Sequence, residues 1–214
     1  MGSLDCKKAQ RRLASIAEKG ELVRSLPIVF KETMQESNSY FASITVAFQM
    51  NKSLADRAIS QVPDEGLRRT INVSSNSIAV IMKHIAGNLI SRWTNPLTTD
   101  GEKPDRNRDA EFVDTFRNRS EIIDYWEKGW AQVFSQLQSF TADDLEKIVH
   151  IRGVPHPLPL AMALSLGHTC YHIGQIVQLA QYFTGNNWKV LTIPRGESDQ
   201  FNQENWGQRG RSHS

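Results

Sequence analysis

The stretch NSIAVIMKHIAGNLISRW, residues 76–93, decides the fold. Ile78, Ile81, Ile85 and Leu89 form one stripe at helical spacing, and Met82, Ala86 and Ile90 form a second beside it. A helix apolar over that much of its girth is covered by neighbours on several sides. Asn76 or Ser77 can cap its free amides, and Pro96 ends it. One histidine, His84, sits in this apolar stretch. A neutral imidazole in a core needs a hydrogen-bond or metal partner, because burying an unpaired polar group is unfavourable.

Working outward, the periodicity predicts three more long helices. The first core helix is expected over about residues 35–61, with Phe41, Ile44, Phe48 and Ala55 on one face and a stop at residues 63–66. The third carries Ile122, Ile123, Trp126, Trp130, Val133, Phe134 and Leu137, and Asn118 with Glu121 has capping-box spacing. Thr141 and Asp144 repeat that spacing in a shorter segment. Residues 148–152 lean towards β and are closed by Gly153 and Pro155, as a short strand or an extended link. The fourth helix is expected from Pro157 or Pro159 to Phe183, with Gly185 and Asn186 as its stop. Four long helices predict an all-α four-helix bundle. A long polar loop, TTDGEKPDRNRDAE at residues 98–111, joins helices two and three and is compatible with a crossover connection. Loops of this length are often functional or mobile.

Residues 1–33 read as a peripheral leader interrupted by Gly20 and Pro27, and Met34 would serve as a start. The bundle is assigned to residues 34–185 and a polar tail to 186–214, its last part expected to be disordered. Net charge is +2, from 25 basic and 23 acidic residues, so no basic field implies a nucleic-acid partner. No apolar run reaches the roughly 18 residues that span a bilayer, and no membrane partner is expected. Cys6 and Cys170 make no disulfide framework, which fits a reducing, cytoplasmic setting.

The chemistry gathers in GHTCYHIGQI, residues 167–176. His168 and His172 are four apart, so their rings lie one turn apart on one helical face, and Gln175 continues that line. Cys170 points to the other side. A third ligand must come from another helix, and His84 is the histidine inside another helical pattern, with Asn88 one turn further on. Three imidazoles leave a fourth position open, as in catalytic rather than structural zinc sites. Imidazole suits zinc, nickel, copper or iron. Hydrogen-bonded core histidines are the plainer alternative. The metal reading requires His84 to lie within about 8 Å of the other two, given metal–nitrogen bonds of about 2 Å. Tyr171 is a candidate donor near such a site, and Asn88 and Gln175 would orient ligands or substrate. His150 and His156 are expected at the surface or in loops. Trp126 and Trp130 are read as core, Trp93 and Trp188 as less constrained, and Arg106, Arg108, Arg117 and Arg119 as a solvated surface. The chain has no Gly-rich phosphate loop, GxSxG or HExxH.

MKHIAGN (82–88) with HTCYHIGQI (168–176) resembles the DinB-like superfamily, damage-inducible protein B and its relatives. NSIAVIMKHIAGNLISRW, TTDGEKPDRNRDAEF, EKGWAQVF, IRGVPHPL and IPRGESDQFN resemble one bacterial branch of unknown function, in order over about residues 35–202. The resemblance implies a DinB/YfiT-like four-helix bundle with a divalent metal on His84, His168 and His172, and a homodimer. Superfamily members include transferases and isomerases that use low-molecular-weight thiols, with zinc or nickel as the metal. The branch itself carries no settled activity to transfer; for an open metal position the expectation is a metal-dependent thiol S-transferase, or a hydrolase, acting on a small molecule of unknown identity. The alternative is a non-catalytic, metal-stabilised dimeric binding or scaffold module.

Overall fold

The computed structural model describes residues 39–206; the expected leader, the first residues of helix one and the end of the tail lie outside them. The described chain holds α1 (Ser39–Ile59), α2 (Ile78–Trp93), α3 (Arg119–Ser139), α4 (Leu158–Thr184) and α5 (Ser198–Trp206). One antiparallel hairpin, β1 (Ile148–Ile151) with β2 (Val154–Pro157), precedes α4. The chain forms two compact units. Asn38–Lys189 contains α1 to α4 and the hairpin, and the short polar helix α5 belongs to the other. No described helix is long and apolar enough to cross a membrane.

Within the larger unit the helix boundaries follow local chemistry. Ser77 caps α2 by accepting from the Val80 amide at 3.2 Å. Asn118 caps α3 by accepting from the Glu121 amide, while Glu121 reaches back to the amide of Arg117 rather than to the cap itself. Gly185, at φ +60°, closes α4 in a backbone region that favours glycine. The α2 helix is buried on nearly every side, packing on α3 and α4, while α1 packs on α4 and α3. Gly129 makes the α2–α3 approach possible: a Cβ there would stand 2.7 Å from Ala86 Cα. The core is filled by Phe48, Met82, Leu89, Trp126, Trp130 and Ile176.

The structure refines three expectations. Residues 148–151 form the expected short strand, and the chain turns back on it as a hairpin rather than stopping at Gly153 and Pro155. Arg152 and Gly153, both at positive φ, make a two-residue turn of the kind that suits hairpin twist, and Pro155 lies inside β2 opposite His150. Trp93 is buried, edge-on to Phe48, with its indole Nε1 donating to Ser165 at 3.0 Å. The tail contains α5, whose sequence SDQFNQENW carries no apolar stripe for periodicity to reveal.

The long loop after α2 is ordered by one carboxylate. Asp100 accepts from the amides of Glu102 (2.7 Å), Arg152 (2.8 Å) and Gly153 (2.7 Å), and the Gly101 amide donates to the His150 carbonyl at 2.7 Å. This ties the loop to the hairpin turn. The Glu102 amide, opposed by desolvation but helped by the amides of Gly153 and Arg152, lowers the Asp100 pKa to about 2. A carboxyl held below its unfolded value of about 3.9 adds stability at neutral pH and loses it as pH falls. Asp100→Ala should therefore melt below wild type at pH 7. The gap should close as pH is lowered towards about 2 in thermal denaturation followed by circular dichroism.

Candidate metal centre

Three imidazoles from two helices meet at one place. His84 comes from the buried middle of α2, and His168 and His172 from successive turns of α4. Their rings lie 4.6–5.2 Å apart, centroid to centroid. One ring nitrogen from each falls within 4.8 Å of the others, well inside the limit of about 8 Å that the metal reading requires. His84 Nε2 and His168 Nε2 are 3.2 Å apart. Two nitrogens on one tetrahedral ion with bonds of about 2.0–2.1 Å stand about 3.3 Å apart, so this pair already has ligand spacing.

The second nitrogen of each ring tells how it is held. His84 Nδ1 lies 2.9 Å from Glu111 Oε2, and Glu111 is only 5% exposed. An ionised carboxylate only accepts, so Nδ1 carries the proton and Nε2 turns its lone pair to the cluster. Glu111 is gripped in turn by Arg106, through Nε to Oε1 at 2.7 Å and Nη2 to Oε2 at 2.9 Å, a bidentate charge-assisted pair. Gly87 makes room for it: a Cβ there would stand 2.6 Å from Glu111 Oε1. His172 Nδ1 donates to Gln175 Oε1 at 2.8 Å, which aims Nε2 at the cluster. His168 Nδ1 is buried and has no hydrogen-bond partner, so this ring is engaged only through Nε2.

The electrostatics favour neutral rings for the two histidines of α4. Burial, then the neighbouring His172 and His84, push the His168 pKa down to about 4. Burial also lowers that of His172, against the opposing bond to Gln175. Burial alone would raise the Glu111 carboxyl; the hydrogen bonds from His84 and Arg106 outweigh it and bring it below its ordinary value. Lone pairs on His168 and His172, together with His84 Nε2 turned to them by the Glu111 carboxylate, make a donor set that fits a borderline divalent cation.

The surroundings leave the cluster partly open. Phe112 stacks on the His84 ring at 4.7 Å, and Tyr171, 65% exposed, stands edge-on to His172 at 4.9 Å. His168 and His172 are half-buried. Asn88 is buried one turn beyond His84 and makes no hydrogen bond with the imidazoles. Cys170 is exposed. His150 lies exposed in the hairpin, and His156 faces the Val154 carbonyl at 2.9 Å; neither joins the cluster. Trp126 and Trp130 are core residues.

Glu111 and Arg106 are the functional residues that sequence reasoning missed. Arg106 was expected on a solvated surface, yet its side chain is 5% exposed and buried against Glu111. Arg119 also departs from that expectation, donating to the carbonyls of Ile59 and Val62 at the end of α1. Arg117 remains exposed. The signal that could have found Glu111 is the need of a buried imidazole for an acceptor, set beside an acid-rich loop following the same helix.

Fold and site thus define a mostly helical protein with a three-histidine cluster that could hold a metal. The chain belongs to the family described as a protein of unknown function, DUF1572, whose model matches residues 35–197. No curated protein and no solved structure matches the chain.

Removing Glu111 leaves the Arg106 charge paired with Glu102 alone and the His84 N–H buried without its acceptor. Glu111→Ala should lower unfolding free energy by about 3–5 kcal/mol in urea titration, and Arg106→Met with Glu111→Leu should lose much less, because no charge is then stranded.

Proposed function

We propose that this protein is a DinB-like four-helix bundle. It binds one divalent metal ion, zinc or nickel, on His84, His168 and His172 and offers the remaining coordination position to a small-molecule substrate. One observation carries the proposal: three imidazole nitrogens from α2 and α4 within 4.8 Å of one another, with His84 oriented by Glu111. The bundle reading is supported by the way the four long helices close on themselves, α1 on α3 and α4, α2 on α3 and α4. An ion held there supplies Lewis acidity, which lowers the pKa of a bound water or thiol.

The protein's own residues do the rest. Glu111 and Arg106 fix the His84 tautomer and make the ring a better donor. Gln175 fixes His172. Phe112 covers one side of His84 against water, and the exposed Tyr171, edge-on to His172, is the candidate donor to an incoming group. Half-buried ligand histidines beside exposed aromatic side chains favour an enzyme over a sealed structural site. Thiol transfer and hydrolysis both use this arrangement, and the likeness to thiol-using relatives puts thiol transfer first.

The partner in this reading is a second copy of the chain. It is supported by the outward face of α4, where Leu160, Leu164 and Tyr171 are 47%, 51% and 65% exposed and the space over Gly167 and Gly174 is open. The same face favours a second reading, a non-catalytic dimeric module stabilised by its metal. A module of that kind loses melting temperature on chelation and turns over nothing, whereas an enzyme loses activity and can keep its fold.

Elemental analysis of protein purified without a histidine tag should find near-stoichiometric metal in wild type and almost none in His168→Ala; equal, near-zero content in both ends the proposal. Glu111→Gln keeps all three ligands, and competition with a chelator should show its metal affinity reduced by about 10–100-fold. Light scattering should give a dimer for wild type and a monomer for Leu164→Glu.

A further inference from the structure

The carboxylate of Glu102 gathers three guanidiniums. Its Oε2 lies 3.4 Å from Arg92 Nη2, 3.2 Å from Arg106 Nη1 and 3.3 Å from Arg152 Nε. These arginines come from the last turn of α2, the long loop and the hairpin turn, so one side chain joins three segments. Asp100 sets up the meeting, because it accepts from the backbone amides of both Glu102 and Arg152. Gly101 leaves room for the Arg92 side chain, whose Cδ and Nη1 lie 3.2 Å from the position a Cβ there would take.

Charges this close are not independent. Burial lowers the Arg92 pKa; Glu102 opposes that, while the Arg106 and Arg152 charges add to it. The Glu102 side chain is 23% exposed and that of Arg106 5%, so water and salt screen their interaction weakly. Short hydrogen bonds connect this group to the imidazoles. Arg106 grips Glu111 through Nε and Nη2, and Glu111 accepts from His84 Nδ1. The remaining nitrogen of that guanidinium, Nη1, donates to both oxygens of Glu102. A cation among the imidazoles would feel the Arg106 charge from behind His84. Glu111 is one anion that answers this charge, and Glu102 is the other. With Glu102 neutralised, the guanidiniums of Arg92 and Arg152 would add to that repulsion instead of being matched.

We infer that Glu102 is a positioning residue for the metal centre: it steadies Arg106 on Glu111 behind His84 and offsets guanidinium charge that opposes uptake of a dication. The inference rests on the metal reading of the cluster. It adds a carboxylate that hydrogen-bonds to none of the three imidazoles and acts on them through Arg106 and Glu111.

Zinc and nickel affinities of the full-length protein, measured by competition with a chromophoric chelator, test this. Glu102→Gln should bind the ion about three- to tenfold more weakly than wild type. Adding Arg152→Gln should restore part of that loss, because it removes one of the unmatched charges. A purely structural tie predicts the reverse, since the second substitution would loosen the hairpin turn further. Melting of the metal-free forms should fall in the single and the double variant alike, so affinity and stability part company. Affinity of Glu102→Gln equal to wild type, or a double variant no tighter than Glu102→Gln, would overturn this inference and leave the metal reading standing. Wild type that takes up neither ion overturns both. If Glu102→Gln does not fold, Arg152→Gln alone decides: it should tighten binding by about twofold, and unchanged or weaker binding overturns the inference.

Discussion

The site depends on the hydrogen bond between His84 and Glu111. Without an acceptor on Nδ1, the His84 ring has no fixed tautomer, and the nitrogen facing α4 is as ready to carry a proton as a lone pair. Glu111 settles the matter, and it can stay ionised in a buried position because Arg106 grips both its oxygens. The Arg106 charge is shared in turn with Glu102. A line of alternating charges thus runs from near the surface to the cluster, and each member makes the next one tolerable. Such networks are stable when every member is satisfied and fragile when one is removed.

This explains why the loop between α2 and α3 is ordered. It carries Asp100, Glu102, Arg106 and Glu111, and each is tied to α2, the hairpin or another loop residue. Asp100 gathers amides of the hairpin turn, and Glu111 returns the chain to α2 at the level of His84. The loop therefore braces the imidazole cluster rather than merely spacing two helices. It also places Phe112 over the His84 ring, so one segment supplies both the carboxylate and the apolar cover.

Much of this was legible in the sequence, for definite reasons. The stripes of α2 and the Trp126–Trp130 spacing in α3 were visible because a buried helix repeats its apolar residues at a fixed interval. His168 and His172 declared their shared face through their separation of four. Irregular structure has no such period. Glu111 lies in a polar stretch where acids and bases alternate, and nothing local distinguishes it from its exposed neighbours Asp109 and Arg108. The hairpin was half visible. Its strand character showed, but Arg152 at positive φ gave no hint that the turn began before Gly153. Trp93 looked unconstrained because its partners, Phe48 and Ser165, lie on helices distant in sequence.

Gly87 carries a broader consequence. Its missing side chain is the clearance through which a carboxylate from a separate segment reaches the back of an imidazole one turn earlier on the same helix. Positions 87 and 111 are thus coupled across the fold, since a Cβ at the first forces the carboxylate of the second to shift. Chains assembled on the same plan can be sorted by that coupling: those that keep both residues retain a charged brace behind the α2 histidine, and those that change one must change the other or leave that histidine unsupported.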